Sequence, residues 1–513
     1  MKANKNRIVS IIILFCILAG TGASAQVIEK KRKIQIQIKS TDSLVYSQNR
    51  GEDIRRLYGH VQFEQNGTLM SCDSAYFYAK ANLFDAFSNV HIVRGDSLNL
   101  YGDTLYFDGN TQFAKIRGKV LLRDRATTLT TRFLDYDMKN SVGFYHSGGH
   151  IVSSVNTLDS RIGKYYEKTS EFVFRDQVKL NNPDYVIQSD TLRYNTRTAT
   201  AYFFGPTTIV SKENFIYCEN GWYDTKRNIS QFRKNSYLNN GPKYLYGDSI
   251  YYDRNKSFGK AFGNIRIKDT VQNTIIFGNY AYYREKPEYI EVTDSMMLVQ
   301  VMQSDSLFIH GDSLTSYFDT SGTYRLIKVF NKVRIFKSDL QGKCDSLVYN
   351  FRDSTLEMHT RPVIWSAQHQ ISGNRIDLHV QHNQLDRVYI RGASFMVSQR
   401  DSIRYDQVKG TNMTGYIRDR ELYRLDVTRN GETIYYLSDE VTFEPLGVNK
   451  SECENITVLL KGSELQEIIF RKSPKGTMYP PDFLPREELF FRDFKWQDNI
   501  RPRDKSDIFR WRE

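Results

Sequence analysis

The sequence has few of the features that mark enzymes or helical membrane proteins. Hydrophobic residues make up only 40% of its 513 residues. After residue 18 it holds no apolar run near the roughly 20 residues of a membrane-spanning helix. It has no G-x-S-x-G elbow, no H-E-x-x-H pair, no phosphate-binding glycine loop and no C-x-x-C. We therefore expect a non-enzymatic protein with no catalytic residues, no metal site and no cofactor.

Histidine offers one alternative to that expectation. His379 and His382 have a spacing that could hold a metal ion, although such a pair is more often found on a solvated strand face. Aspartate is frequent, but its period differs from that of calcium-binding nonapeptide repeats, and the carboxylates are interpreted as turn formers.

Cysteine and proline are also scarce. Cysteines occupy equivalent slots before a repeated motif, several repeats apart, so we expect free buried thiols rather than disulfides; they are Cys72, Cys218, Cys344 and Cys453. Five of the 11 prolines lie after residue 471. Residues 471–513 therefore form a separate tail rich in proline, aromatic and basic residues, which either docks on a partner, caps the array or is disordered.

The first 25 residues have the pattern of a cleavable signal peptide. A basic start with Lys2, Lys5 and Arg7 precedes an apolar run, and Ala23-Ser24-Ala25 forms a cleavage site. The alternative is an uncleaved anchor, but the run is too short to span a bilayer. We expect export to the periplasm, possible association with the outer membrane, and a mature chain whose net charge falls from +12 to about +9.

Aromatic residues are abundant, with 34 Tyr and 31 Phe, and they favour strands. Many of them lie in a repeated hexad, roughly small/Asp-Ser/Thr-Leu-x-aromatic-Asp, at a spacing of roughly 28 to 31 residues. The copies are DSAYFY from Asp73, DTLYFD from Asp103, RFLDYD from Arg132, DTLRYN from Asp190, ENGWYD from Glu219, DSIYYD from Asp248, NYAYYR from Asn279, the longer DSLTSYFD from Asp312, DSLVYN from Asp345 and the degenerate NRIDLH from Asn374.

A second motif lies between the hexads and consists of an aromatic or aliphatic residue, often Gly or Asn, and a β-branched run, as in YGHVQF from Tyr58. Each repeat then holds at least two strands joined by turns. We predict an all-β fold, an elongated stack of antiparallel strand repeats over residues 26–470, built as an open β-jellyroll or a solenoid. The period breaks near 151–170, 284–310 and 394–412, which are bends, insertions or boundaries between two or three modules.

Alternation within the hexad predicts its buried face. Positions three and five point to the same face of the strand. Position three carries a small or aliphatic residue, and position five carries an aromatic residue. This apolar column is either core packing or the floor of a lipid-binding groove, and its candidate residues are Phe77, Leu105, Phe107, Leu134, Tyr136, Leu192, Tyr194, Tyr223, Ile250, Tyr252, Tyr283, Phe318, Leu347 and Tyr349.

A G-x-V strand followed by a small-Asp-x-L-x-Y-D strand, repeated in an exported chain, resembles the OstA-like family of lipopolysaccharide transport. The resemblance covers roughly residues 34–460. It implies a V-shaped β-jellyroll that shelters lipopolysaccharide acyl chains during transport to the outer membrane, with members joined end to end through edge strands. This chain is much longer than a single module of that family.

The alternation Ile34, Ile36, Ile38 begins the array, so this segment is expected to be an edge strand. We expect lipopolysaccharide or a related acylated glycolipid as ligand, other transport components or a second copy as partners at that edge, and no nucleic acid. Two other functions stay open: a secreted structural or adhesin protein, and a β-helix enzyme acting on polysaccharide.

Overall fold

The computed structural model of the protein describes residues 35–46, 54–95, 98–124, 127–153, 155–302, 305–381, 384–439, 445–461, 464–480, 483 and 485–512. The predicted signal peptide, Ile34 and His382 lie outside these residues. Strands account for 73% of the structure and helix for 3%, and every strand pairing is antiparallel. The predicted all-β stack is confirmed.

The first strands are long and follow one another as hairpins. They are β1 Gln37–Ser40, β2 Ser43–Tyr46, β3 Ile54–Gln65, β4 Thr68–Tyr78, β5 Leu83–Arg94, β6 Leu98–Asp108, β7 Phe113–Asp124 and β8 Thr127–Asp137. Both β1 and β2 pair with β3. Hexads occupy the second half of every even-numbered strand from β4 to β8.

Each long strand bends near its middle, and the bend divides the sheet into two facing walls. In β5 the ladder with β6 is interrupted between Phe87 and Val90. The two residues in between, Ser88 and Asn89, have φ of 66° and 49°. We call the half that carries the hexads the hexad wall (83–87 and 104–108 in β5 and β6) and the other half the opposite wall (90–94 and 98–101).

Farther along, some strands are split at this corner into two separate strands. The middle strands are β9 Val142–Tyr145, β10 Gly149–Val152, β11 Thr157–Ser160, β12 Ile162–Tyr166, β13 Glu171–Asn182, β14 Tyr185–Asn195, β15 Thr200–Ser211, β16 Phe215–Asp224, β17 Ile229–Asn240, β18 Lys243–Asp253, β19 Phe258–Asp269, β20 Thr274–Arg284, β21 Tyr289–Thr293, β22 Met297–Val301, β23 Ser306–His310 and β24 Ser313–Phe318. A 3₁₀ turn at Glu167–Thr169 joins β12 to β13. The split strands β9–β12 and β21–β24 overlap residues 151–170 and 284–310 in part.

The last strands repeat the same plan. They are β25 Arg325–Lys337, β26 Leu340–Asn350, β27 Thr355–His359, β28 Val363–Ser366, β29 His369–Ser372, β30 Arg375–Gln381, β31 Gln384–Gln399, β32 Tyr405–Arg418, β33 Glu421–Ser438, β34 Pro445–Lys461, β35 Glu464–Arg471 and β36 Lys475–Tyr479. The third break in the period, residues 394–412, lies in β31, β32 and their connection. The split strands in this part of the sheet are instead β27–β30. In the hexad wall β27 pairs with β30, and in the opposite wall β28 pairs with β29.

The core lies between the two walls and forms two large clusters. One runs from Ile36 to Phe232 and the other from Ile250 to Leu460. Neighbouring strands β17 and β18 therefore belong to different clusters, even though they are fully paired. The core is interrupted in the middle of the sheet.

Residues 485–512, which we call the C-terminal segment, lie against the outer surface of the opposite wall. Three short 3₁₀ turns occur in it, at Arg486–Leu489, Asp498–Ile500 and Asp507–Phe509. Ile500 packs with Val363 and Trp365, and Trp365 is fully buried as a result. In the described part of the chain, no helix has the length and apolar character needed to cross a membrane.

Candidate functional site

The first residue of the hexad supports the corner of the next strand. The carboxylate of Asp103 accepts a hydrogen bond from the backbone N–H of Lys119 at 3.0 Å. Gly118 beside it has φ +97°, and a Cβ there would overlap the Asp103 side chain. In the same way Asp73 accepts from the Asn89 side chain at 2.8 Å. The recurrent acid is therefore a corner support, which agrees with its interpretation as a structural residue.

The last residue of the hexad stabilises the turn at the rim of the hexad wall. Asp108 accepts hydrogen bonds from the backbone of Asn110 at 2.8 Å and from the hydroxyl of Thr111 at 2.8 Å. Asp224 and Asp253 make similar contacts with the backbone two or three residues later. These Asx turns agree with the interpretation of the aspartates as turn formers.

The candidate column faces the space between the walls, but its two positions differ in burial. Position three is buried throughout; Leu105, Leu134, Leu192, Ile250 and Leu347 are all 4% exposed or less. Position five varies along the chain. Its aromatic residue is buried at Phe77, Phe107, Tyr136 and Tyr349 and only half-buried at Tyr194, Tyr223, Tyr252, Tyr283 and Phe318.

The half-buried aromatic residues belong mainly to residues 185–293, strands β14–β21, which we call the open segment. The opposite wall of this segment contributes further half-buried aliphatic residues to the same interior: Ile209, Ile216, Leu238, Leu245 and Ile267. The hexad does not include them. The signal that could have found them is the apolar residue three positions before the hexad, such as Ile216 before Glu219 and Leu245 before Asp248.

The same interior is densely packed in β3–β8, residues 54–137, which we call the N-terminal region. Phe63 of the opposite wall stacks on Phe84 of the hexad wall with ring centroids 4.1 Å apart, and Phe84 contacts Phe107 at 5.3 Å. Both Phe63 and Phe84 are fully buried. Aromatic rings from the two walls thus fill the space that the open segment leaves partly exposed.

Polar contacts join the rims of the two walls at several points. In the N-terminal region the side-chain amide of Gln65 donates to the carbonyl of Gly109 at 2.9 Å, and Asn82 accepts from the backbone of Ile36 at 2.9 Å. In the open segment the contact is ionic: Lys243 of the opposite wall lies 2.9 Å from Glu288 at the rim of the hexad wall.

The rim of the open segment has a distinct electrostatic character. Burial opposes ionisation of Glu288, but hydrogen bonds from Arg325 (2.7 Å) and Lys243 outweigh it and hold the pKa of this carboxyl below its usual value. Burial raises the pKa of Tyr283 to about 12, with further increases from Glu288 and Glu285. A half-buried, uncharged aromatic surface therefore lies directly inside a charged rim.

The predicted N-terminal edge strand is present in part. Ile36 is buried with the core, Ile38 is half-buried, and Gln37 is exposed. Within residues 35–512 as described, β1 pairs with β3 alone, through Gln37 opposite Glu64. The Lys39 ammonium group forms an ion pair with Glu64 at 2.5 Å. At the other end, β35 and β36 each pair only with β34 in the described residues.

Comparison with known proteins identifies the N-terminal part of this architecture. A family model described as "OstA-like protein" matches residues 33–190. Residues 33–190 are OstA-like. The match ends at the beginning of the hexad in β14, so it covers β1–β13, which include the N-terminal region, and only the first half of β14, the first strand of the open segment. The family is one of the cell envelope and is associated with transport. No curated protein matches the chain.

Metal and thiol chemistry are not prominent in the structure. Among the described residues, no three His, Cys, Asp or Glu side chains group as metal ligands would. His379 lies 3.6 Å from Asp386. Burial raises the pKa of the Cys72 thiol to about 11 and that of Cys218 to about 12. These thiols are buried in the interior and poorly nucleophilic.

Proposed function

We propose that this OstA-like protein is a non-enzymatic periplasmic carrier that holds the acyl chains of lipopolysaccharide, or of a related acylated glycolipid, between the walls of the open segment. The observation that carries the proposal is the change at hexad position five, from buried aromatic residues in the N-terminal region to half-buried ones in the open segment. The half-buried apolar residues of both walls are partly exposed to water, and an acyl chain bound between the walls would cover this exposed surface.

The energetics favour such a site. Each CH₂ group transferred from water to an apolar surface contributes about 0.8 kcal/mol, so a chain of about a dozen carbons gains on the order of 10 kcal/mol. Eight strands at roughly 4.8 Å spacing make a groove about 34 Å long. The rim cluster of Lys243, Arg325 and Glu288 holds two cations and one anion, and its net positive charge favours an anionic head group, since head groups of this class carry phosphate.

Photo-crosslinking distinguishes the interior of the open segment from its outer surface. Probes at the inward positions Tyr223 and Tyr252 should capture lipopolysaccharide, because an acyl chain would contact both. Their outward neighbours Trp222 and Tyr251 are the matched controls on the same strands. Equal or stronger capture by the outward probes would contradict the proposal, and the lipid in each adduct is identified by mass spectrometry.

We also propose that β1 joins a partner by strand addition, either another transport component or a second copy of the chain. The strand is short and exposed on its outer side, which leaves backbone groups available for pairing. Gln37→Pro removes one backbone donor and should abolish capture of the partner in a pull-down. Gln37→Ala keeps the donor and should leave capture of the partner intact. Equal loss of capture in both variants, or no loss in either variant, would be evidence against strand addition.

A further inference from the structure

The C-terminal segment is held by a regular row of residues on the outer surface of the opposite wall. Consecutive cross-strand partners in this row include three glutamines, Gln341, Gln370 and Gln407, on β26, β29 and β32. All three are nearly fully buried beneath the segment. Buried outward-facing amides at regular intervals indicate a surface built to bind a polypeptide.

Two of the three glutamines, Gln370 and Gln407, bind the backbone of the segment rather than its side chains. Gln407 donates to the carbonyl of Leu489 at 2.8 Å and accepts from the N–H of Phe491 at 3.0 Å. Gln370 donates to the carbonyl of Lys495 at 2.6 Å and accepts from the N–H of Gln497 at 2.7 Å. Such bidentate contacts recognise an extended chain with little dependence on its sequence.

Aromatic side chains of the segment contact a second row of outward-facing residues, which lies beside the glutamine row and contains Lys409 and Lys343. The ring of Phe491 lies 4.5 Å from the Lys409 ammonium group, and Trp511 lies 4.3 Å from that of Lys343. Phe509 reaches His310 of β23, with ring centroids 4.5 Å apart. The covered part of this surface therefore extends from β34 to β23.

Both rows continue beyond β23 without interruption of register. The row that contains His310 proceeds through directly paired residues to Met297, Phe277, Arg266, Tyr246, Tyr237 and Tyr217. The rings of Tyr217 and Tyr237 lie 5.5 Å apart, as do those of Tyr237 and Tyr246. The next residue along, Thr208, and then Gln188 are polar, so the aromatic part is confined to β16–β23.

This outer aromatic surface also contains a concavity. A depression of about 460 Å³ is bordered by Tyr246, Arg266, Phe277 and the corner residues Asn264 and Asn279. Arg266 covers the ring of Tyr246 at 4.1 Å, and this tyrosine is half-buried. Asn239 lies in the parallel row, and its side-chain oxygen is buried and accepts no hydrogen bond among the described residues.

From the continuity of these rows with the covered surface, we propose that the uncovered part of the outer aromatic surface, β16–β22, docks an extended, aromatic- and acid-bearing segment of a partner protein, laid across the strands as the C-terminal segment is. The exposed Arg266 and Lys268 select acidic residues, and the concavity takes an aromatic side chain. This surface faces away from the interior, so the proposal is independent of lipid binding.

A labelled peptide with the sequence of residues 485–494, which holds three acidic residues, two basic residues and three phenylalanines, and which carries a photoreactive group in place of Phe494, tests the proposal on the full chain. It should bind saturably and crosslink to β18–β20. Tyr246→Ala and the exposed-residue variant Arg266→Ala should each weaken binding roughly tenfold or more. Tyr106→Ala, an exposed tyrosine on the hexad wall, is the matched control and should leave binding unchanged.

Three results would overturn the proposal. One is the absence of saturable binding, and the second is binding that both variants leave unchanged. The third is crosslinking confined to Gln341–Gln407, because the peptide would then only exchange with the chain's own segment. Anionic phospholipid vesicles and a linear oligosaccharide are assayed in parallel. Binding of either at Tyr246 without peptide binding would assign the surface to a membrane or a glycan instead.

Discussion

The N-terminal region and the open segment are built from the same repeat, yet their interiors differ. In the N-terminal region Phe63, Phe84 and Phe107 fill the space between the walls. In the open segment the corresponding position-five residues, Tyr223 and Tyr252, are half-buried. The difference teaches that one strand architecture can enclose a packed or a partly open interior, according to how much side-chain volume the two walls together supply.

The family match reinforces this comparison. It covers the N-terminal region, where the interior is packed, and ends as the open segment begins. If the open segment is the groove, the matched residues supply a rigid platform and the repeats that follow supply the lipid-binding surface. The two core clusters meet at β17 and β18, in the middle of the open segment.

The largest expected effect is on stability. Phe84→Ala removes a fully buried ring and should cost about 3–5 kcal/mol. Tyr252→Ala, at a half-buried inward position, should cost about 1 kcal/mol, because less apolar surface is lost. Native-state hydrogen exchange of the strands around each site gives the local free energy of opening, which suits a repeat protein better than a single unfolding transition. Similar costs at the two sites would remove the distinction between packed and open interiors.

A smaller effect is expected at the rim of the N-terminal region. Asn82→Ala removes the acceptor of the Ile36 backbone N–H, which should cost about 1–3 kcal/mol because that donor becomes unpaired. The interior near β1 and β3 should then bind more of a fluorescent hydrophobic dye. Asn140→Ala, an exposed turn residue, is the control. Unchanged dye binding in the Asn82 variant would mean that the rim contact does not close this region.

Much of the fold could be predicted from the sequence, because the hexad encodes local structure. The spacing of Asp103, Leu105 and Phe107 fixes a corner, a strand and an inward face, and each has a local physical cause. The burial of position five could not be predicted in the same way. DTLYFD and DTLRYN are nearly the same motif, yet Phe107 is buried and Tyr194 is half-buried, because burial depends on residues of other strands.

The C-terminal segment shows the same limit. Its prolines and aromatic residues allowed docking, capping or disorder, and nothing in the local pattern distinguishes them. Its position depends on Gln341, Gln370 and Gln407, which look like ordinary outward polar residues of a strand. Only the register of the sheet, which aligns residues far apart in sequence, brings them into one row.

The most direct test of the central claim is hydrogen–deuterium exchange of the full chain with and without lipopolysaccharide. A lipid groove in the open segment predicts slower exchange in strands β14–β21 and unchanged exchange in the N-terminal region, strands β3–β8, because only the former presents half-buried apolar surface to an acyl chain. Protection of the N-terminal region to the same extent, or no protection of the open segment at saturating lipid, would contradict it.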